Sequence, residues 1–172
     1  NTGIEMVLNG TIINQNGWVW KLGMNLTHYK NKVTELPLKD MPQSGVNKLQ
    51  VGRSVYDFYM KEWAGVDPDN GNPLWYMDEK DANDNLTGKR VTTSDYASAN
   101  YYYVNKSSLP KVYGGFNTSL SWKGFDLSAI FAYSIGGYIY NRDITMILHN
   151  GSLEGRDWST EILKRWTPEN RY

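Results

Sequence analysis

The sequence predicts an all-β fold whose strands are long enough to cross a membrane as part of an antiparallel β-barrel. Two stretches, 18–27 and 125–135, alternate apolar with polar or mixed residues, and side chains alternate between the two faces of a strand. Each stretch also follows a short turn. Strands of soluble domains usually have about 5–6 residues, whereas a tilted membrane-crossing strand needs about 9–11. Length and pattern together therefore favour a membrane wall.

The first predicted hairpin covers residues 2–30. Residues 2–13 alternate in hydrophobicity, 14–17 carry an Asn-Gly turn signal, and 18–30 read as the returning strand. One face of the returning strand is apolar, and we expect it to contact lipid. Its members are Trp18, Trp20, Leu22, Met24 and Leu26.

The second predicted hairpin covers residues 112–138, with a turn at Lys123-Gly124. Its predicted lipid-facing residues are Phe125, Leu127, Phe131 and Tyr133. The mixed faces of the hairpins should turn toward an enclosed interior, because a lysine on the lipid face costs about 2–4 kcal/mol at mid-membrane. These faces carry Lys21, Asn25, Asn117, Ser119 and Ser121.

Two long loops are predicted, 31–111 and 139–172. Short turns of membrane barrels face the periplasm and long loops face outside, so the segment 31–111 must start and end outside and contain zero or two crossings. The region 53–64 is aromatic but lacks a clean apolar face, which favours zero crossings. We expect the ribbon 53–77 to stand above the membrane as an extracellular hairpin.

A short amphipathic helix is predicted near 156–166. Four apolar residues there have helical spacing, and Thr167-Pro168 ends the pattern, because proline restricts the residue before it. These four are Trp158, Ile162, Leu163 and Trp166.

The composition narrows the function classes. Eighteen basic and 18 acidic residues give a net charge of zero, so nothing indicates nucleic-acid binding. No cysteine is present, which excludes disulfides and thiol chemistry. The chain has 13 Tyr and 7 Trp but only 4 Phe, a bias suited to membrane interfaces or to sugar and peptide surfaces. Because the chain opens inside a strand, we expect a slice of something longer.

No catalytic constellation is evident, and we expect no enzyme activity. The two histidines, His28 and His149, are far apart in sequence and are expected to be solvent-exposed or interfacial. No cofactor is expected. Asp67 and Asp69 are candidate calcium ligands, because calcium prefers oxygen donors. The spacing does not fit an EF-hand, and a solvated turn is the preferred interpretation.

Five aromatic residues are candidates for substrate binding, because their rings could stack on sugars or hold a peptide. They are Trp75, Tyr76, Tyr101, Tyr102 and Tyr103. Packing against neighbouring loops is the preferred alternative. A second hypothesis for the whole chain is a soluble Tyr/Trp-rich β-sandwich that binds carbohydrate.

Several motifs resemble one family of receptors. In chain order they are Ala64-Gly65-Val66-Asp67-Pro68 with Gly71 and Pro73; Pro110 with Gly114-Gly115-Phe116 and then Trp122 to Leu127; Gly136-Gly137 with Tyr140-Asn141; and Arg165 to Asn170. Together they resemble the C-terminal part of SusC/RagA-type TonB-linked outer-membrane receptors, over roughly 50–170.

That resemblance implies a 22-stranded barrel in the bacterial outer membrane, an internal plug and a SusD-like surface lipoprotein. It further implies import of glycans or peptides, driven by TonB through an N-terminal part that these residues do not include. The chain would form a slice of the barrel wall with about four spanning strands, in contact with outer-membrane lipid and the rest of the barrel.

Overall fold

The computed structural model describes residues 1–38, 41–149 and 151–171. It divides into two compact units. Residues 1–58 and 105–138 form what we call the sheet unit, and residues 59–104 and 139–172 form the loop unit. The strands are β1 (Thr2–Gln15), β2 (Trp18–Lys30), β3 (Asp57–Lys61), β4 (Trp63–Val66), β5 (Pro73–Lys80), β6 (Leu86–Thr93), β7 (Tyr101–Ser107), β8 (Val112–Trp122) and β9 (Phe125–Ile135).

The sheet unit is built on a four-stranded antiparallel sheet in the order β1-β2-β8-β9. Its central pair, β2 and β8, runs in continuous register from Trp18 opposite Trp122 to Thr27 opposite Tyr113. Among the described residues, therefore, no strand of 31–111 lies between β2 and β8. If the segment 31–111 does not cross the membrane, β2 and β8 must be neighbours in the sheet, as they are here.

The two hairpin turns of this sheet have the backbone geometry that their residues predict. Asn16 and Gly17 have φ of 52° and 79°, and Lys123 and Gly124 have φ of 46° and 85°. Two successive positive φ values define the turn that matches the right-handed twist of the flanking strands. The turns consequently lie where the sequence places them, although β1 extends to Gln15 and β9 stops at Ile135.

A β-bulge interrupts β1 between Thr11 and Ile13. Thr11 pairs with Lys21 and Ile13 pairs with Trp20, so one residue of β1 has no partner across the ladder. Because side chains alternate with a period of two, an extra residue reverses which positions face which side. Ile13 thereby lies on the same face as Trp20.

The residues that the structure describes form almost no hydrophobic core. Among the described residues, the buried hydrophobic side chains are Phe58 and Ala99, whereas Phe125 and Leu127 are 76% and 69% exposed. A soluble β-sandwich buries the inner faces of its two sheets against each other. The alternative prediction of a soluble carbohydrate-binding sandwich is therefore wrong.

The strands between β2 and β8 in the sequence differ from the predicted hairpin over 53–77. β4 and β5 do form a hairpin, and β6 extends it to three strands. β3, however, pairs with β7, which is distant in sequence. The ribbon prediction is wrong for this first half, because a local alternation pattern carries no information about which distant strand is the partner.

The helical prediction is only partly right. The segment 156–166 contains one short 3₁₀ helix, Thr160–Lys164. Ser159 caps its N-terminus, where the Ser159 hydroxyl accepts a hydrogen bond from the Glu161 amide. An additional α-helix, α1 (Arg142–Ile147), was not predicted; the side chain of Asn141 caps it. Among the described residues, no helix has the length and hydrophobicity needed to cross a membrane.

Candidate membrane-facing surface and loop aromatic cluster

One face of the four-stranded sheet is apolar from edge to edge. Residues that pair directly across the four strands form rows, and the side chains of each row lie on the same face of the sheet. We call this the apolar face. Its main rows are Met6–Leu26–Gly114–Tyr133, Leu8–Met24–Phe116–Phe131, Gly10–Leu22–Thr118–Ala129 and Ile13–Trp20–Leu120–Leu127.

The nine residues predicted to face lipid all lie on this apolar face. By register they are Trp18, Trp20, Leu22, Met24 and Leu26 from β2, and Phe125, Leu127, Phe131 and Tyr133 from β9. The sequence-based list of lipid-facing residues left out Ile4, Met6 and Leu8 of β1, which share the face and are 61%, 48% and 55% exposed. Their alternation was visible, but only the register joins them to the others.

The polar tips of two aromatic residues on this face are satisfied within the sheet. Trp20 Nε1 donates to Thr118 Oγ1 at 2.9 Å, and the Tyr133 hydroxyl donates to the backbone oxygen of Asn25 at 2.8 Å. An unpaired polar group in hydrocarbon costs several kcal/mol. These hydrogen bonds make the two side chains compatible with an apolar surrounding.

Gly114 is the residue that lets Tyr133 reach across β8. A Cβ at Gly114 would lie 2.1 Å from the Asn25 backbone oxygen and 2.7 Å from the Tyr133 hydroxyl. The neighbouring Gly115 amide donates to Asn25 Oδ1 at 2.9 Å. Gly114 and Gly115, which belong to the motifs that resemble the receptor family, thus join three strands. Gly115 binds Asn25 of β2, and Gly114 leaves room for Tyr133 of β9 to reach Asn25.

The opposite face of the sheet is mixed and mostly polar. All five residues predicted to face an enclosed interior lie on it by register: Lys21, Asn25, Asn117, Ser119 and Ser121. Gly23 is buried there, and a Cβ on it would come within 2.7 Å of the side chains of both Asn9 and Asn117. Val7 and Ile130 are apolar exceptions on this face, at 68% and 85% exposure.

The turn end of the sheet carries a cluster of aromatic rings. Trp18 and Trp122 stack with centroids 4.7 Å apart and planes 15° apart. Lys123 Nζ lies 4.9 Å from the Trp122 ring centroid. Aromatic rings with a polar atom, beside a cation, suit the boundary between hydrocarbon and headgroups, so this end of the sheet has the chemistry of such a boundary.

The five candidate substrate-binding aromatics lie in the loop unit, and most of them contact neighbouring side chains. Trp75 makes edge contacts with Trp63 at 5.7 Å and with Tyr96 at 5.1 Å. Tyr76 lies in β5 and accepts a hydrogen bond from the Asn100 amide at its backbone oxygen. These contacts agree with the packing alternative.

Tyr101 and Tyr103 both contact Tyr59, with centroid distances of 5.7 Å and 4.8 Å. Lys61 Nζ lies 5.2 Å from the Tyr101 ring centroid and 4.1 Å from that of Tyr96. Lys61 and Tyr96 therefore connect Tyr101 to Trp75. Sequence reasoning missed both, because no local pattern indicates a cation above two rings.

Tyr102 belongs to a separate polar network. Its hydroxyl donates to Asp78 Oδ1 at 2.9 Å, and the Arg90 guanidinium lies 3.8 Å from its ring centroid. Arg90 also pairs with Glu62 at 2.9 Å. Burial, followed by the hydrogen bond to Asp78 and its negative charge, raises the pKa of Tyr102 to about 12, despite the opposing charge of Arg90.

The candidate calcium ligands form a turn with its own hydrogen bonds. Asp67 Oδ1 accepts from the Asp69 amide at 2.9 Å, and Asp67 Oδ2 accepts from Asn70 Nδ2 at 2.8 Å. In the described ranges, no three metal-binding side chains of His, Cys, Asp or Glu converge. Both oxygens of Asp67 are thus accounted for by the turn, and calcium binding stays a prediction.

The two histidines lie in different units. His28 Nδ1 is 2.5 Å from the Lys111 backbone oxygen at the end of the sheet. His149, predicted to be exposed or interfacial, is 8% exposed; its Nδ1 accepts from the Leu153 amide and its ring meets Trp158 edge-on. The expectation of an accessible His149 is therefore wrong, since its ring closes a local turn.

Two other motifs that resemble the receptor family, 64–73 and 165–170, contact each other in the loop unit. Trp166 Nε1 donates to the Pro68 backbone oxygen at 3.1 Å, and the Trp166 ring lies against Gly71. A Cβ at Gly71 would be 2.4 Å from Trp166 Cε3, and its φ is +78°. In the sheet unit, Gly137 similarly packs on Pro110. These motifs therefore encode close contacts between distant segments.

Comparison with known proteins agrees with this geometry. No family model matches the sequence. The chain is 28% identical to TonB-dependent receptor P26 and 24% identical to TonB-dependent receptor P3, both from Formosa agariphila; each match covers 99% of the chain and 18% of the receptor. The solved structure of the RagAB peptide transporter superposes with a TM-score of 0.81 and 32% identity, over 98% of the chain and 19% of that protein.

The chain therefore spans about one fifth of the length of the proteins it matches. Its antiparallel strands correspond to a piece of a TonB-dependent receptor barrel. The resemblance to SusC/RagA-type TonB-linked receptors is confirmed over almost the whole of this segment.

Proposed function

We propose that this chain forms part of the barrel wall of an outer-membrane transporter that imports nutrients with TonB-derived energy. The observation that carries the proposal is the continuous apolar face of four strands, whose large side chains are exposed or half-buried, with none buried among the residues described. In water such a face would promote association with other molecules. In a bilayer the same face would contact the hydrocarbon chains of the lipids.

The proposed orientation follows from loop lengths. The hairpins 2–30 and 112–138 would cross the membrane, with their short turns in the periplasm, and 31–111 and 139–172 would be extracellular. The paired tryptophans Trp18 and Trp122 would then mark the periplasmic boundary.

The proposed partners are the rest of the same barrel and its plug, a SusD-like surface lipoprotein, and TonB. β1 and β9 are the outer strands of the sheet, and barrel closure would pair each with a further strand, because an open edge in hydrocarbon is costly. The lipoprotein is supported by the similarity of this chain to the RagAB peptide transporter.

Peptides are the substrate class to test first, because the solved neighbours are named as peptide transporters and importers. Glycans are the second class. The loop aromatics Trp75 and Tyr101 are the candidate contacts, with Tyr76, Tyr102 and Tyr103 beside them in the same strands. We propose no catalytic step and no cofactor; a calcium ion at Asp67 and Asp69 would serve the loop only.

The facing assignment is tested by placing one charge on each side of β9 in the receptor that contains this chain. Leu127→Arg puts the charge on the apolar face, and we expect a loss of up to about 2–4 kcal/mol in insertion free energy. The measurement is the fraction of receptor that is folded in the outer membrane, read from heat-modifiable gel mobility.

Ser128→Arg is the matched control, because Ser128 is the next residue and lies on the opposite, mixed face. We expect it to insert like the unmodified receptor. Equal losses for both variants would contradict the proposed wall, as would normal insertion of Leu127→Arg.

A further inference from the structure

A cationic cavity lies at the long-loop end of the sheet unit. It has a volume of about 630 Å³. Four permanently basic residues line it: Lys30, Lys32, Arg53 and Lys111. Among the described residues that line the cavity, Asp57 supplies the one carboxylate. The excess of positive charge makes it a site for an anion.

Hydrogen bonds hold the loop that forms one wall of this cavity. The Val33 amide donates to the Arg53 backbone oxygen and the Gly52 amide donates to the Val33 oxygen, both at 2.8 Å. Asn31 Oδ1 accepts from the Ser54 hydroxyl at 2.9 Å and from the Val55 amide at 2.8 Å. The chain that carries Lys32 is thus fixed against the chain that carries Arg53.

The opposite wall is anchored to the sheet. The Lys111 amide donates to the Ile135 backbone oxygen at 2.9 Å, and the Lys111 oxygen is 2.5 Å from His28 Nδ1. Gly136 packs against the Lys111 side chain, since a Cβ there would lie 3.0 Å from Lys111 Cγ. The stem of Lys111 is therefore positioned before any ligand arrives.

Two residues that line the cavity, His28 and Lys30, lie on the apolar side of β2. Leu26, His28 and Lys30 are successive residues on the same side of β2. The surface thus changes from apolar to cationic over four residues, about 13 Å of strand. Such a step is what an amphiphile with an anionic headgroup would match, with its chains on the apolar face and its headgroup in the cavity.

We propose that this cavity binds the phosphate group of an anionic lipid in the outer leaflet. Lysine and arginine are the side chains that recognise phosphate by charge and by hydrogen bonding, and basic clusters at the edge of a membrane span bind anionic headgroups. A soluble anion would use the cavity alone, whereas a lipid uses the cavity and the adjoining apolar face. The proposal rests on the membrane position proposed above.

The test measures binding to the whole receptor that contains this chain, purified in a neutral detergent. The probes are dihexanoyl phosphatidic acid, dihexanoyl phosphatidylcholine and inorganic phosphate, titrated by calorimetry. We expect the phosphatidic acid to bind at least about tenfold more tightly than either of the others, and to weaken as ionic strength rises from about 0.1 M to about 1 M.

The variant Lys30→Gln/Lys32→Gln/Lys111→Gln should lose at least about tenfold in phosphatidic acid affinity, because each basic residue near an anionic headgroup contributes. The matched control is Lys21→Gln/Lys123→Gln, which removes charge from the mixed face and from the turn end. It should bind like the unmodified receptor. Equal affinity of the triple variant and the control would overturn the proposal.

Inorganic phosphate that binds as tightly as phosphatidic acid would also overturn it, since the adjoining apolar face would then contribute nothing. Heat-modifiable mobility is measured on every variant, so that insertion is known independently. A receptor that inserts normally but shows no preference for the anionic lipid contradicts this inference alone, and leaves the proposed transport function standing.

Discussion

The sheet unit and the loop unit are stabilised by different kinds of interaction. The four-stranded sheet is specified by a repeated alternation, in which each residue needs only the right class of side chain on the right face. The loop unit depends on individual pairs, such as Trp166 on Gly71, Arg90 on Tyr102 and Lys61 on Tyr96. Neither relies on a buried core, as Phe58 and Ala99 are the buried hydrophobic residues among those described.

The difference predicts how damage should spread. In a sheet, a central strand is held by two neighbours, so a defect there disturbs the pairing on both sides. In the loop unit, a lost pair should open one turn and leave the rest in place. Three substitutions test that contrast.

Gly114→Ala is expected to have the largest effect. The new Cβ would collide with the Asn25 backbone oxygen, which cannot move without separating β2 from β8. We expect a loss of about 1–3 kcal/mol in stability, seen as a lower urea midpoint and less heat-modifiable receptor. Gly10→Ala is the control on the same face, because its Cβ would meet nothing closer than 4.0 Å. If Gly114→Ala disturbed only its own position and left the pairing of β2 and β9 with β8 intact, the contrast between the two units would be wrong.

Gly71→Ala should come second and stay local. Its Cβ would enter the Trp166 ring, at a position whose φ is +78°. Gly88→Ala is the control, since Gly88 has φ of +79° but open space around it, and it should cost only the strain of about 1–2 kcal/mol. We expect Gly71→Ala to exceed that and to raise amide hydrogen exchange in 67–72 and 166–170. Insertion into the membrane should be unchanged; a loss of insertion would contradict the contrast.

Tyr102→Phe should have the smallest effect, about 1 kcal/mol from the lost hydrogen bond. The folded pKa of Tyr102 is raised to about 12 from an ordinary value of 10.0, so its contribution is complete below pH 10 and is lost as pH rises from 10 toward 12. The check is phenolate absorbance of the receptor: the component titrating near pH 12 should vanish in Tyr102→Phe. Tyr101→Phe, which keeps the ring stacked on Tyr59, should retain it.

The sequence predicts the sheet unit well because membrane-type alternation is a local property. The strands β2 and β8 and both short turns lie where the pattern places them. The bulge at Thr11 and Ile13 was not predicted, since an extra residue in a ladder is visible only once the partner strand is known. The contact of Tyr133 with Asn25 depends on register in the same way.

The loop unit was predicted less well for a physical reason. β6 is exposed on both faces, so no hydrophobic period reveals it. The pairing of β3 with β7 is non-local, and α1 is only six residues long with no buried residue. The candidate aromatics were found by residue type, but Lys61, which links Tyr96 with Tyr101, could be found only in three dimensions.

The direct pairing of β2 with β8 has a consequence for the length of the segment that joins them. The chain leaves the sheet after Lys30 and returns at Val112 to the adjacent position. The entropy of closing a loop grows only with the logarithm of its length, so doubling this excursion would cost only about 0.6 kcal/mol. The segment between Lys30 and Val112 could thus be lengthened, shortened or exchanged at little cost while β2 and β8 keep their pairing.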